Sequence, residues 1–246
     1  MIRALARVRE AGATRLVLEV PGWPGHRPGQ FAMLGLDPEL RRRDPLLPRP
    51  MAVYRGDAGA LEFRFKVVGR GTRMMAEFAA GTTVAVLGPL GNGFALPDGP
   101  ATLVGGGSGI ASLFELARDS RPRPRVLLGG RTRADILGLE DFEKLGVDLA
   151  VATDDGSLGQ RGLVTDLLAP RAGETVYACG PLAMMQRAQA LAAAAGARCH
   201  VSLENNMACG FGVCLGCVVK TPAGFRLVCT HGPVFDAATL GWEARA

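Results

Sequence analysis

Four cysteines fall within 21 residues as Cys209-x4-Cys214-x2-Cys217-x11-Cys229, and no other feature of the 246-residue chain restricts its folding as much. Gaps of four and two with a distant fourth cysteine are the spacing of a plant-type [2Fe–2S] site. Gly210, Gly212 and Gly216 stand between the ligands, so the loop can curl tightly and turn its N–H groups toward the sulfurs. Residues 217–229 read as two strands joined by the three-residue loop Pro222-Ala223-Gly224, with glycine at the left-handed position. In that register Cys217 opposes Cys229, and the hairpin sets the third and fourth thiolates side by side. The alternatives are unrelated buried cysteines and a four-thiolate zinc site. Zinc usually takes two C-x2-C knuckles, and one is present. Six cysteines do not make a disulfide scaffold, and Cys179 and Cys199 stand apart from the cluster.

The rest of the chain reads as two different rhythms. Apolar residues are 48% and charged residues 21%, enough for a packed core. Over 1–98, short apolar runs at 4–8, 15–20, 30–36, 51–54, 61–68 and 83–87 are separated by Pro/Gly punctuation. Six strands with one helical stretch at 72–79 predict a small Greek-key barrel. Past Leu96-Pro97-Asp98-Gly99-Pro100, strands at 101–104, 125–128, 147–152 and 175–178 alternate with helices at 110–117, 139–145, 163–168 and 182–195. That alternation predicts a doubly wound parallel sheet, which binds ligands at the carboxyl ends of its strands. The expected organisation is therefore 1–98, 99–203, and a Gly/Cys-rich region at 204–246.

The charge is +5, and fourteen basic against nine acidic side chains in 1–98 carry all of it. So small a surplus, without interleaved aromatics, does not indicate nucleic acid. Arg41, Arg42 and Arg43, between Pro38 and Pro45, read as a solvated loop. No apolar run reaches the ~18 residues that cross a bilayer, and the N-terminus alternates arginine with apolar residues as a strand does. The expectation is a cytoplasmic protein without a membrane segment.

Gly105, Gly106, Gly107, Ser108 and Gly109 link a strand to a helix, the layout of a phosphate cradle, although the G-x-G-x-x-G/A fingerprint is absent. A tight strand–helix turn is the competing explanation. Asp154 and Asp155 end the strand at 147–152, where a carboxylate would repel a 2′-phosphate and suit a bare ribose, unless both merely cap the turn before Gly156.

The order of parts resembles the ferredoxin–NADP⁺ reductase superfamily: a β-barrel, the glycine loop, then Tyr177-Ala178-Cys179-Gly180-Pro181. The tail narrows this. Leu203-Glu204-Asn205-Asn206-Met207-Ala208-Cys209-Gly210 before the cluster and Gly232-Pro233-Val234-Phe235 after it resemble the electron-transfer subunits of NAD-linked, two-subunit dihydroorotate dehydrogenases, over essentially the whole chain. The resemblance implies FAD in the barrel, held by Arg49, Pro50, Met51 and Ala52, by Arg64, Phe65 and Lys66, and by Gly71 and Thr72. Ala52 departs from the family's serine, so a hydrogen bond to the isoalloxazine is lost there. It further implies NAD at residues 105–109, with Gly180 and Pro181 approaching the nicotinamide. Cys179 is there either a catalytic thiol or a small buried residue. Asp154 is expected to select NAD over NADP.

A hydride carries two electrons and a [2Fe–2S] centre takes one, so a flavin between them completes the set. The three histidines, His26, His200 and His231, form no paired motif. The implied partner is an FMN-containing dihydroorotate dehydrogenase catalytic subunit, two copies of each chain, in pyrimidine biosynthesis. Rival readings are the reductase subunit of a sulfhydrogenase, that of a flavin-bifurcating NADH-dependent ferredoxin:NADP⁺ complex, and a non-enzymatic iron–sulfur scaffold without flavin.

Overall fold

A computed structural model describes residues 1–36, 45–57 and 59–242, so the run Arg41–Arg43 lies outside the described residues. The first sheet is antiparallel: β1 (Ile2–Gly12), β2 (Arg15–Glu19), β3 (Phe31–Gly35), β4 (Arg49–Ala52), β5 (Arg55–Asp57), β6 (Ala60–Arg64) and β7 (Thr83–Leu90), in the order β4-β3-β7-β1-β2-β6-β5. Period-two patterning builds it. Along β7, Val84, Val86 and Leu90 are buried while Thr83, Ala85 and Leu87 are partly open. Within this sheet the sequence does not predict β5, three residues that pair with β6, just as it does not predict residues 160–161, 198–202 and 234–236 of the second sheet. The sheet curls into a half-barrel, and the Tyr54 N–H just after β4 donates to the Glu62 carbonyl on β6 at 2.9 Å. Helix α1 (Arg70–Ala76) begins two residues before the expected start. The Thr72 hydroxyl accepts the N–H groups of Val68 and Gly69 at 3.0 and 3.2 Å and fixes that first turn.

The second sheet has the order β11-β10-β9-β8-β12-β13-β16. Strands β8 (Ala101–Gly106), β9 (Arg125–Gly130), β10 (Asp148–Thr153), β11 (Gln160–Arg161), β12 (Thr175–Cys179) and β13 (Arg198–Ser202) run parallel. β8 is buried along its whole length, as a central parallel strand covered on both faces must be. Leu103, Val126, Leu128 and Tyr177 face a core built with Ile110, Leu113, α2 (Phe114–Asp119) and α3 (Leu139–Lys144). Val104, Leu127, Val176 and Ala178 face the other core, under α4 (Leu182–Ala194). The helix expected at 163–168 is only a 3-10 turn, Val164–Leu167, since Gly162 and Pro170 bound it.

Beyond β13 the chain forms the hairpin β14 (Val218–Thr221) and β15 (Gly224–Leu227), one turn of helix α5 (Val228–His231), and β16 (Val234–Asp236). β16 adds antiparallel to β13, so the C-terminal region is sewn into the edge of the parallel sheet. Among the described residues no helix is long and apolar enough to cross a membrane.

Aromatic and polar contacts lock the two sheets together. Tyr54 stacks on Phe114 with ring centroids 4.5 Å apart. Its hydroxyl donates to Asp141 Oδ2 at 2.9 Å, and the same oxygen receives Arg64 at 3.0 Å. Burial, with Asp141 adding to it, pushes the Tyr54 phenol upward, so it remains a donor. On the other side of the seam, His26 Nε2 lies 2.7 Å from Glu115 Oε2, both side chains about 5% exposed or less. Trp23 Nε1–H donates to His26 Nδ1 at 3.1 Å, which leaves Nε2 to donate to the carboxylate. Glu115 Oε1 accepts the Gly56 N–H at 2.9 Å.

Glu115→Ala strips two buried donors of their acceptor at once. Each orphaned group costs about 1–3 kcal/mol, so the two together lower the thermal midpoint of a chain this size by roughly 4–24 °C. Differential scanning calorimetry at fixed cofactor content measures it; a midpoint within about 1 °C of wild type would show that the seam does not depend on this carboxylate.

Candidate functional site

Among the described residues, two adjoining cavities open beside the glycine loop, between the sheets. The larger, about 580 Å³, is lined by Pro50, Met51 and Ala52 of β4, Arg64, Phe65 and Lys66, Thr72 of α1, and residues 202–207. The smaller, about 440 Å³, is lined by Gly106, Gly107, Ser108, Arg131, Gly180 and Pro181. They share Lys66, Ser108, Leu203 and Glu204, so they meet at a single wall.

Seven of the nine residues expected at the flavin thus line one cavity. Arg49 and Gly71 do not line it, but they touch each other: a Cβ on Gly71 would come within 2.4 Å of Arg49 Nε. The guanidinium lies over the first turn of α1, the end of a helix where the backbone dipole presents positive charge. A cation held at that end of a helix calls for an anion between them, and a flavin dinucleotide's pyrophosphate is one. Arg64 lines the cavity while bound to Glu62 at 2.7 Å and Asp141 at 3.0 Å, with its guanidinium 5.1 Å from the Tyr54 ring centre. At 52 a methyl group faces the space, and polar side chains elsewhere in the lining include Ser112, Ser202, Asn205 and Asn206, the last two part of the motif that precedes Cys209.

Gly106, Gly107, Ser108, Gly180 and Pro181, which the resemblance assigns to NAD, line the smaller cavity, and Gly105 and Gly109 pack behind it against Ile110 and Cys179. Gly109 has no room for a side chain, because a Cβ would meet the carbonyl of Cys179 at 2.4 Å. The glycine loop is thereby pressed onto the end of β12. Cys179 is fully buried and lines neither cavity. Burial, reinforced by the Glu204 charge, pushes its thiol up to about 12, so it is a neutral packing residue at physiological pH. Of the two aspartates, Asp155 caps the turn, accepting the Ser157 N–H at 2.9 Å, and the Ser157 hydroxyl together with that N–H holds its carboxyl below the usual range. Asp154 stays exposed at the end of β10, outside the lining of either cavity.

The cysteines gather at the far end of the residues 203–209 that leave this wall. Cys217 and Cys229 are buried, Cys209 is half-buried and Cys214 exposed. The hairpin differs by one residue from the expected register: Thr221 pairs with Gly224 and Val218 with Leu227, across a two-residue turn. Cys217 therefore faces Val228, whose N–H donates to the Cys217 carbonyl at 3.1 Å. The helical turn of α5 then brings Cys229 back, and its N–H donates to Cys217 Sγ at 3.4 Å. Cys214 N–H likewise donates to Cys209 Sγ at 3.5 Å. Although desolvation pushes the Cys209 thiol up, N–H groups of Cys214, Phe211 and Val213 bring it down to about 6. The thiols thus form two linked pairs, 209 with 214 and 217 with 229. Among the described residues no three His, Cys, Asp or Glu side chains converge on one point. Two pairs suit a two-iron cluster held by four thiolates.

The chain is similar in sequence and in fold to known proteins. Residues 204–241 match the family model for the iron–sulfur cluster binding domain of dihydroorotate dehydrogenase B. The chain is 40% identical over 241 residues to the electron transfer subunit of dihydroorotate dehydrogenase B (NAD(+)) from Bacillus caldolyticus, covering 92% of this chain and 89% of that protein. The corresponding Clostridium acetobutylicum subunit is 36% identical over 217 residues, covering 87% and 86%. Among solved structures, an NADH-dependent reduced ferredoxin-NADP oxidoreductase described for flavin-based electron bifurcation superposes with a TM-score of 0.84 at 29% identity, over 98% of this chain and 91% of that one. A ferredoxin NADP+ reductase from Neisseria gonorrhoeae shares the fold, with a TM-score of 0.64 at 15% identity, over 84% of this chain and 95% of that one.

Cys214→Ser replaces the most exposed of the four thiols. It is expected to remove the iron–sulfur visible absorption and the bound iron while leaving flavin content at the wild-type level. Stoichiometric zinc without iron in wild-type protein purified anaerobically would reject the two-iron assignment.

Proposed function

The chain belongs to the electron transfer subunits of NAD(+)-linked dihydroorotate dehydrogenase B, and from that premise we propose how its residues carry electrons between a partner's FMN and NAD⁺. The observation that supports the route is the shared wall. Residues 203–207 border the larger cavity, Leu203 and Glu204 border the smaller one as well, and the same segment runs on to Cys209.

In this reading FAD occupies the larger cavity and NAD the smaller, with a [2Fe–2S] cluster on Cys209, Cys214, Cys217 and Cys229. The regions 1–98, 99–203 and 204–246 serve flavin, nicotinamide and cluster in turn. A bound flavin supplies the conversion between a two-electron hydride and single electrons. Arg49 and the first turn of α1 hold its phosphates, while β4 and Phe65 orient the ring. The loop 105–109 holds the NAD pyrophosphate with backbone N–H groups, and Pro181 bounds the nicotinamide. Cys179 supports that wall by packing. The seam between the sheets sets the distance between the two cofactors. Catalysis at dihydroorotate belongs to the FMN-containing catalytic subunit, and the location of the complex is cytoplasmic.

The cluster end offers a docking surface for that subunit. Phe211, Val213 and Leu215, beside Cys214 in the chain, and Phe225 on the hairpin are 45%, 73%, 61% and 71% exposed, and exposed apolar groups of this kind mark interaction surfaces. Leu215→Asp tests it cleanly. Leu215 has a φ of 57°, and aspartate tolerates that left-handed conformation better than leucine does. The variant should keep its cluster and its NADH–dye activity, yet bind the catalytic subunit at least tenfold more weakly by titration calorimetry. Unchanged assembly would move the interface elsewhere. Wild-type chain with the FMN-containing subunit should form orotate with NAD⁺, whereas the chain by itself should not; assembly only with a ferredoxin-reductase partner would favour the bifurcating relative.

Asp154→Ser addresses cofactor choice. A carboxylate beside a 2′-phosphate costs about 1–3 kcal/mol, so wild type should favour NADH over NADPH by tenfold or more and the variant should narrow that ratio. Equal wild-type kcat/KM for the two would reject the assignment.

A further inference from the structure

Lys66 reaches across the seam. It follows β6 on the flavin sheet, yet its ammonium pairs with Asp135 of the parallel sheet, in the 3-10 turn Arg133–Asp135. Nζ lies 3.6 Å from the point a Cβ on Gly107 would occupy, against the glycine loop itself. Lys66 and Arg131 are the cationic side chains lining the smaller cavity among the described residues. Arg131 is 81% exposed and meets Asp135 at only 3.4 Å, whereas Lys66 is 25% exposed and confined to the shared wall.

Asp135 does not depend on Lys66 alone. Its Oδ2 accepts the N–H groups of Arg131 and Thr132 at 3.0 and 3.4 Å, and Lys66 sits on Oδ1. The ammonium can leave while the carboxylate keeps donors. A dinucleotide in the loop brings two phosphate charges beside that same carboxylate, and a flexible point-charge cation is suited to bridge them.

We propose that Lys66 is the cation of the dinucleotide pyrophosphate site, contributed by the flavin sheet, and that Asp135 is its resting counter-ion. This rests on the reading of residues 105–109 as the dinucleotide cradle, and it moves Lys66 from the flavin set to the wall between the two cofactors. Dinucleotide binding then exchanges one ion pair for another across the seam, tying the parallel sheet to the flavin sheet when the site is filled.

Titration calorimetry on protein loaded with flavin and cluster tests it, with ADP-ribose and NAD⁺ as the probes. ADP-ribose has the pyrophosphate and lacks the nicotinamide. Lys66→Met should raise Kd for both probes about tenfold and leave flavin content per chain unchanged. Asp135→Asn, which releases the ammonium while keeping an oxygen for the turn, should tighten ADP-ribose severalfold and serves if Lys66→Met folds poorly. Wild-type affinity in Lys66→Met overturns the proposal. So does flavin loss with ADP-ribose affinity intact, which would return Lys66 to the flavin. Asp135→Asn binding no tighter than wild type overturns the counter-ion role. Wild-type protein that does not take ADP-ribose rejects the cradle itself, a failure distinct from that of Lys66.

Discussion

Glu115 leaves the helical layer of the parallel sheet and buries its carboxylate against His26 and the Gly56 N–H of the flavin sheet. Such a group is costly to bury alone and acceptable only with its donors in place. Arg118 of the same helix meets Glu115 Oε1 at 3.3 Å, but the other two donors come from the flavin side of the seam, so they tie the two sheets in one relative position. Tyr54, Arg55, Arg64 and Asp141 repeat the device across the seam, with Arg55 at 3.3 Å and Arg64 at 3.0 Å from Asp141. Both cavities lie between the same sheets, and their widths follow from this docking.

The cluster region obeys a related constraint. Its loop has little regular structure of its own, so its position is borrowed from both sheets. Asn92, just after β7, donates from Nδ2 to the carbonyls of Thr230 and His231, each at 3.1 Å. Gly210 sits against Met33 of β3, where a Cβ would come within 2.4 Å of the Met33 side chain. β16 continues the parallel sheet beyond β13. The thiols are therefore held by the flavin sheet on one side and the nucleotide sheet on the other, which fixes their place relative to both cavities.

What the sequence made legible was local. Cysteine spacing, a glycine loop between strand and helix, and alternating or continuous apolar runs are written within a few residues, and the fold expected from them is the fold observed. The seam was not legible. His26 meets Glu115 across 89 positions and Tyr54 meets Asp141 across 87, and nothing in either neighbourhood marks the pairing. His26 accordingly read as an isolated histidine. The hairpin register was missed for a subtler reason. Pro222-Ala223-Gly224 suits a three-residue loop, but Thr221 pairs directly with Gly224, and its hydroxyl donates to the Gly224 carbonyl at 2.7 Å. One residue of slip turns side chains to the opposite face of a strand, and the turn of α5 compensates by returning Cys229 to Cys217.

Ala52 shows how such a departure is absorbed. An alanine on β4 takes a hydroxyl away from the flavin-sheet wall of the larger cavity. The remaining polar side chains there include Ser108 and Ser112 beside the glycine loop, Ser202 on β13, and Asn205 and Asn206 on the way to the cluster. All five belong to the parallel sheet or to the segment it anchors, so their contacts with a ligand in that cavity pass through the seam. A substitution that loosens the seam, even far from the cavity, therefore disturbs those polar contacts more than it disturbs the apolar wall formed by Pro50, Met51 and Phe65, which moves with the flavin sheet.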